Sequence, residues 1–241
     1  MIRFVPRIAL LLSALVAAGC SDSDSGTQLD IADPSTPQYG KTYEEWAAEW
    51  VAYVNRVAPP ECASPFTDAT GASCQLYQDA DSPVFFLVGT FGGVARRNEC
   101  VVPHGKALFF PLIGTWGDNA GVPSDMLLSD AELKAYVESL YAGLLPESLK
   151  LTVDGQSITK LERGGFSSAP YLITIPPDAN SYTCINVPGV EGEFAGQVSG
   201  YWALLPALAP GKHTVAFQAA SHGQVGVEDV NIDVSYTLTV E

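Results

Sequence analysis

"VNIDVSYTLTV", residues Val230–Val240, is the stretch that decides the fold class. Apolar side chains alternate along it with polar ones: Val230, Ile232, Val234, Tyr236, Leu238 and Val240 against Asn231, Asp233, Ser235, Thr237 and Thr239. A period of two residues is typical of a β-strand that buries one face and exposes the other. The stretch therefore predicts a half-buried antiparallel strand.

The segments before this strand extend the β pattern. Residues 200–219 predict two more strands around a Pro-Gly turn, and the Asp-Gly pair at 154–155 is typical of a hairpin. Residues 83–88 and 106–110 are apolar on both faces, which indicates central strands of a covered sheet. We therefore expect a mainly β fold, an antiparallel β-sandwich with two attached α-helices.

The two helices are predicted near residues 43–55 and 130–142. Each begins with a capping box, in which a hydroxyl and a glutamate satisfy backbone N–H groups of the first turn. The boxes are Thr42 with Glu45 and Ser129 with Glu132. Trp46 and Trp50 lie four residues apart, so both are expected to face the core; an aromatic pair that binds a ligand is the alternative.

The N-terminal residues have the features of a bacterial lipoprotein signal. Arg3 and Arg7 precede a short apolar stretch, Ile8 to Ala18, whose last residues are small and lie just before Cys20. We expect cleavage before Cys20, which then carries the lipid; a plain secretory signal is the alternative. The location expected is the extracytoplasmic side of the bacterial cell envelope. The predicted organisation is a signal peptide (1–19), a flexible polar tether (20–38) and a β-sandwich domain (39–241).

Four further cysteines, Cys62, Cys74, Cys100 and Cys184, would lie in an oxidising compartment after export. An even number favours two disulfides there, and the sequence leaves all three pairings open. A metal site is the alternative, but no two of these cysteines have the C-x-x-C spacing.

Charge and motifs exclude several classes of function. The formal charge is −15, and about −17 once Arg3 and Arg7 leave with the signal peptide, which makes nucleic acid an unfavourable partner. No G-x-S-x-G elbow or H-E-x-x-H helix is present, so we predict no catalytic residue, no metal ligand and no cofactor. His104 and His222 fall in turns, and His213 falls on a strand, where one hydrogen bond would satisfy it.

The stretch "RRNECVVPHGKALFFPL", residues 96–112, supplies a candidate ligand contact. Arg96 and Arg97 are the densest positive charge on this acidic chain, and guanidinium groups pair well with anions. Arg97 is the better candidate, because in an extended segment its side chain points away from that of Cys100, three residues later. Neutralisation of nearby acids is the alternative.

Five motifs resemble those of an uncharacterised family of bacterial secreted proteins and lipoproteins over residues 39–240: YGKTYEEW, VFFLVGTFGG, VPHGKALFFPL, GYWALLPALAPGKHTV and VSYTLTV. The resemblance implies a bridge between Cys74 and Cys100, which leaves Cys62 for Cys184, and it implies no activity. The segments LAPGKHTVAF and VSYTLTV also resemble the late strands of bacterial immunoglobulin-like modules.

These observations leave three functional hypotheses. The first is a lipid-anchored, extracytoplasmic binding protein of unknown ligand, with Trp116 and Tyr182 as aromatic contacts for a sugar or a protein. The second is a hydrolase that acts on an extracellular polymer through two carboxylates or a histidine. The third is a structural envelope protein. The expected partners are the membrane, through the lipid on Cys20, and a ligand or an envelope protein.

Replacement of the lipidated residue tests the anchor. We expect Cys20→Ala to move the protein from the membrane fraction to the soluble fraction, because the variant has no thiol to carry the lipid. The measurement is fractionation of cells that express each form, followed by immunoblotting. Retention of Cys20→Ala in the membrane fraction would contradict lipid anchoring.

Overall fold

A computed structural model describes residues 29–57, 62–177, 180–187, 189–223 and 229–241. The predicted signal peptide, Cys20 and residues 21–28 lie outside the described residues. The strands are β1 (Val84–Phe86), β2 (Gly93–Val102), β3 (Ala107–Asp118), β4 (Lys150–Val153), β5 (Gln156–Ile158), β6 (Gly165–Ser167), β7 (Tyr171–Ile175), β8 (Gly192–Leu205), β9 (Gly211–Ser221) and β10 (Val230–Val240). The helices are α1 (Tyr43–Val54), α2 (Asp130–Tyr141) and α3 (Ser181–Cys184), with 3₁₀ turns at Pro146–Ser148 and Leu161–Gly164.

The strands form two sheets that pack face to face. Sheet I has the order β1-β3-β8-β6, with β7 also paired to β8, and sheet II has the order β2-β10-β9-β4-β5. The prediction of a mainly β, sandwich-like fold is confirmed. The sheets are mixed rather than wholly antiparallel, because β1 pairs with β3, and β2 with β10, in parallel. The chain leaves sheet I after β1, crosses to sheet II as β2 and returns as β3, and such a crossover is what parallel pairing requires.

The strand β10 lies in the interior of sheet II, between β2 and β9. Its apolar side chains from Ile232 to Val240 are buried at every second position, and the residues between them are partly exposed. The half-buried strand predicted from alternation is therefore confirmed. Its buried face packs against sheet I and supplies five buried residues, Ile232, Val234, Tyr236, Leu238 and Val240, to the main core.

Sheet I is covered on both faces, as the continuous apolar runs predict. Leu108 and Phe110 of β3 belong to the core between the sheets, whereas Phe109 belongs to a second core beneath α1. The molecule therefore has three layers in the order α1, sheet I and sheet II. Burial of β3 on both faces explains why no polar residue occurs between Ala107 and Ile113.

The helix α1 begins at the predicted capping box and places its tryptophans in the core, so both predictions are confirmed. The Trp50 ring meets Trp202 edge to face at 5.2 Å, and its indole Nε1 donates to the carbonyl oxygen of Leu87 at 2.8 Å. The indole Nε1 of Trp46 donates to the carbonyl oxygen of Gln38 at 2.9 Å. Each tryptophan thus satisfies its polar atom while it buries its rings.

The second helix is also capped as predicted, by Ser129 and Glu132. It buries only Leu133 and Val137, and Tyr136 is 50% exposed. A third helix, α3, is a single turn that the sequence patterns did not indicate.

Residues 29–38 are held against the sandwich. Ile31 is buried in the main core, and the N–H of Ala32 donates to the carbonyl oxygen of Leu204 at 2.8 Å. The flexible tether predicted for residues 20–38 is therefore wrong for residues 29–38, because an apolar side chain and a backbone hydrogen bond tie them down.

Two disulfides are present, Cys62–Cys184 and Cys74–Cys100. These are the pairings that the family resemblance implies. The two bridges indicate an oxidising, extracytoplasmic location. Within the described residues, no helix has the length and apolar character needed to cross a membrane.

The contribution of α1 to stability can be measured at Trp50. We expect Trp50→Ala to lower the free energy of unfolding by about 3–5 kcal/mol, because a buried ring is lost and the Leu87 carbonyl loses its donor. Chemical denaturation measures the change, and Met126→Ala, at a 65% exposed position, serves as a control with an expected change below about 0.5 kcal/mol. Equal stabilities of the two variants would contradict a core role for Trp50.

Candidate functional site

Arg97, the predicted anion contact, lies inside the protein with only 1% of its surface exposed. All five N–H donors of its guanidinium have acceptors within the chain. Nε donates to the carbonyl oxygen of Asp68 (2.9 Å), Nη1 to Val88 O (3.1 Å) and Tyr236 Oη (3.2 Å), and Nη2 to Phe66 O (3.2 Å) and Gly89 O (3.0 Å). No donor remains for a ligand, so the prediction of an anion contact at Arg97 is wrong.

A β-bulge explains the error. Arg97 lies opposite Tyr236 and Cys100 lies opposite Leu238, so two residues of β2 face the single residue Thr237. The extra residue shifts the alternation by one position. Arg97 and Cys100 therefore point to the same, buried face, whereas an unbroken strand would have placed them on opposite faces.

Arg96, rather than Arg97, is the arginine whose side chain is exposed. Its Nη2 lies 2.9 Å from Oδ2 of Asp233, and about half of each side chain is in water. The ion pair lowers the pKa of the Asp233 carboxyl. This arrangement is the neutralisation of a local acid, which was the alternative for the arginine pair.

The guanidinium of Arg97 fastens two loops to sheet II. It binds carbonyl groups of residues 66–68 on one side and of residues 88–89 on the other. The hydroxyl of Tyr236 completes the cluster by donating to Val88 O at 2.9 Å, and burial raises the pKa of this tyrosine, so the hydroxyl keeps its proton. Both loops contribute aromatic residues to a groove on the surface.

The groove contains a ladder of three aromatic rings, Trp116, Phe66 and Phe91. Phe66 is stacked on Trp116 at 6.3 Å between ring centroids, and Phe91 is stacked on Phe66 at 4.5 Å. Trp116 in turn meets the buried Trp50 edge to face at 5.8 Å. The outermost ring, Phe91, is 73% exposed. The ladder therefore runs from the core beneath α1 out to water. We refer to this region as the aromatic groove.

Two cavities open beside the ladder, and both are bounded by its three rings. The smaller, of about 180 Å³, extends along residues 111–116 of β3. The larger, of about 420 Å³, lies between the end of α1 and the Cys62–Cys184 bridge, with the 66% exposed Ile185 at its rim. The described residues that line the two cavities carry no formal charge.

The smaller cavity exists because one edge of β3 is left open. The strand β1 pairs only with Ala107, Leu108 and Phe109, and beyond them β3 has β8 as its single partner among the described strands. The segment that follows β1 makes its last backbone hydrogen bond to β3 at Leu87. The backbone groups of residues 87–89 form hydrogen bonds with Trp50, Tyr236 and Arg97 instead. An open edge beside apolar walls is a favourable place for a partner to bind.

Of the two aromatic residues proposed as ligand contacts, only Trp116 lies at the groove. Tyr182 is half-buried and points its hydroxyl at Asp118, 3.4 Å from Oδ1; it lines neither cavity, although its neighbours Ser181 and Cys184 line the larger one. Burial raises the pKa of the Asp118 carboxyl and raises the pKa of Tyr182 to about 12.

The histidines do not form a common site in the described residues. His213 lies on strand β9, as predicted, but it has two polar contacts rather than one: Nδ1 lies 2.7 Å from Oδ2 of Asp154, and Nε2 lies 2.8 Å from Ala209 O. The contact with Asp154 raises the pKa of His213. No group of three or more His, Cys, Asp or Glu residues in the described ranges has the geometry to hold a metal ion.

Sequence reasoning missed Phe66 and Phe91. Phe91 carried a usable signal, because a lone phenylalanine between glycines in "GTFGG" has no strand or helix to bury it. Phe66 carried none, since only the tertiary structure stacks it between Phe91 and Trp116.

No family model, curated protein or solved structure matches the chain.

The two adjacent arginines can be compared directly. We expect Arg97→Met to lower the free energy of unfolding by at least about 3 kcal/mol, because it leaves several buried oxygens without a donor. Arg96→Met, the matched control, removes an exposed ion pair and should cost about 0.5 kcal/mol or less. Urea denaturation of the oxidised proteins measures both. Similar, small losses for the two variants would contradict the structural role of Arg97.

Proposed function

We propose that this protein is an extracytoplasmic binding protein whose aromatic groove takes an uncharged, largely apolar organic molecule. The observation that carries the proposal is Phe91, a phenylalanine ring that is 73% exposed and held in place by stacking on Phe66. An exposed ring gains free energy when a ligand removes it from water, at about 25 cal/mol per Å² of apolar surface. The stacking keeps the ring ordered before the ligand arrives, which lowers the entropy lost on binding.

The electrostatics of the groove favour an uncharged ligand. The chain has 27 acidic and 12 basic residues, yet the described residues around both cavities are uncharged. A charged ligand would lose its hydration there without gaining a partner of opposite charge. The larger cavity, of about 420 Å³, has a volume within the range found for sites that bind small molecules, and the smaller one, of about 180 Å³, adjoins the same three rings.

The groove has rigid walls, which supports a role in binding. Arg97 holds the loops that carry Phe66 and Phe91, and the Cys62–Cys184 bridge joins the far wall of the larger cavity to α3. We further propose that a lipid on Cys20 tethers the protein to the bacterial cell envelope. Both disulfides support export, and the residues before Cys20 have the composition of a lipoprotein signal.

The proposal is tested with N-phenyl-1-naphthylamine, an uncharged aromatic probe that fluoresces in apolar surroundings. We expect saturable binding to the full chain and an affinity about 3- to 10-fold lower for Phe91→Ala, the loss typical of one aromatic contact. Leu172→Ala, at a 63% exposed position of β7, is the matched control and should bind as the wild type does.

The same variants separate the proposal from its rivals. Phe91→Ala should keep the wild-type melting temperature, because most of its ring is already in water. Equal probe affinity of Phe91→Ala and the wild type would contradict binding at the groove. A protein that binds no probe, and whose sedimentation coefficient falls in Phe91→Ala, would instead use this surface to associate with itself.

A further inference from the structure

A second concave site lies on the other side of α1, between this helix and residues 77–84. It is a cleft of about 340 Å³ whose described lining residues include none that line the aromatic groove. Its floor is aromatic, with Trp46, Tyr53 and Phe86. Its rim is charged, with Lys41, Glu49 and Arg56 on the α1 side and Asp79 and Asp81 on the opposite side. We refer to it as the polar cleft.

Tyr39 stands at the mouth of the polar cleft on a rigid turn. Tyr39 and Gly40 both have positive φ angles, 53° and 85°, as the central residues of a type I′ turn do. Gln38 and Lys41 close the turn with backbone hydrogen bonds of 2.8 and 3.2 Å, and Trp46 fastens it to α1 through its bond to Gln38 O. The ring of Tyr39 is nevertheless 47% exposed.

The backbone at Tyr39 is strained for its residue type. Asn-Gly is the pair that favours this turn, and a bulky side chain in the left-handed region raises the free energy of the folded state. Burial offsets little of that cost, because about half of the side chain stays in water. Strain of this kind, when nothing in the packing requires it, points to a functional position.

A second tyrosine in the same conformation lines the opposite wall. Tyr77 has a φ angle of 62° and also borders the polar cleft. Six described residues other than glycine have a positive φ angle, and two of them, Tyr39 and Tyr77, are tyrosines. Tyr77 is partly buried against the core beneath α1, and its hydroxyl donates to Ala63 O at 3.3 Å, whereas Tyr39 is held by its turn. Two aromatic residues from distant parts of the sequence, both with a left-handed backbone, therefore line one cleft.

The geometry points to a carbohydrate as the ligand of the polar cleft: we propose that Tyr39 and Tyr77 provide aromatic surface for a sugar ring while the charged rim hydrogen-bonds its hydroxyl groups. A sugar has apolar C–H faces and a periphery of hydroxyls that both donate and accept. The rim supplies both types of partner, since Glu49, Asp79 and Asp81 accept and Lys41 and Arg56 donate.

A cationic ligand fits the cleft less well. Lys41 already places its Nζ 4.7 Å from the centroid of the Trp46 ring, and it forms an ion pair with Glu49. The chain's own ammonium group thus takes the ring face and the carboxylate that a bound cation would use. Two bases and three acids around the cleft also leave little net charge to attract an ion.

Calorimetric titration of the full chain with soluble oligosaccharides, namely cellohexaose and N-acetylchitohexaose, tests the proposal. We expect binding of at least one of them in the micromolar to millimolar range. Tyr39→Asn should weaken it at least tenfold and leave the melting temperature unchanged or higher, because asparagine suits the left-handed backbone. Tyr39→Phe keeps the ring and should retain most of the affinity.

Tyr136→Ala is the matched control, since this tyrosine is 50% exposed and lies on α2, away from the cleft; it should bind as the wild type does. The proposal is overturned if neither oligosaccharide binds at millimolar concentration, or if Tyr39→Asn binds as tightly as the wild type. Binding of tetramethylammonium without binding of either sugar would also overturn it. The aromatic groove shares none of these residues, so its own test is unaffected by any of these outcomes.

Discussion

A single buried cation, the guanidinium of Arg97, is the constraint on which the rest of this structure depends. Burial of a charge is costly, and the ion pairs found among the described residues do not include this arginine. Four backbone carbonyls and the hydroxyl of Tyr236 replace the lost water, and the ring of Tyr236 lies 5.3 Å from the guanidinium carbon. The dipoles of these fixed carbonyl groups thus stabilise the buried positive charge, as a carboxylate would in an ion pair.

The cluster around Arg97 also determines where the surface is open. It binds the carbonyl groups of residues 88–89, just beyond the end of β1, where part of β3 has an open edge. It holds the loop of Phe66 at the same place, which lets three rings stack outward from the core. The Arg97 cluster therefore contributes both to the stability of the fold and to the shape of the proposed binding site. A substitution that disrupts the cluster would affect both.

The helix α1 relates the two proposed sites to each other. Trp50 lines the smaller cavity of the aromatic groove, and Trp46, one turn earlier, forms part of the floor of the polar cleft. Both rings are buried in the core beneath α1, and each of them also lines one of the two sites. The groove is uncharged and the cleft has a charged rim, so the two sites differ in the chemistry of the ligand that they favour.

The sequence by itself determined the features that depend on local periodicity and local hydrogen bonds. Alternation over Val230–Val240 predicted the half-buried strand, continuous apolar runs predicted a covered sheet, and the capping boxes predicted where α1 and α2 begin. Only the tertiary structure decided the inward direction of Arg97, because a bulge defined by pairing with β10 breaks the period of two. It also decided the parallel pairings and the stacking of Phe66 between Phe91 and Trp116. Those contacts join residues far apart in the chain, and no local pattern encodes which distant partner a strand or ring will meet.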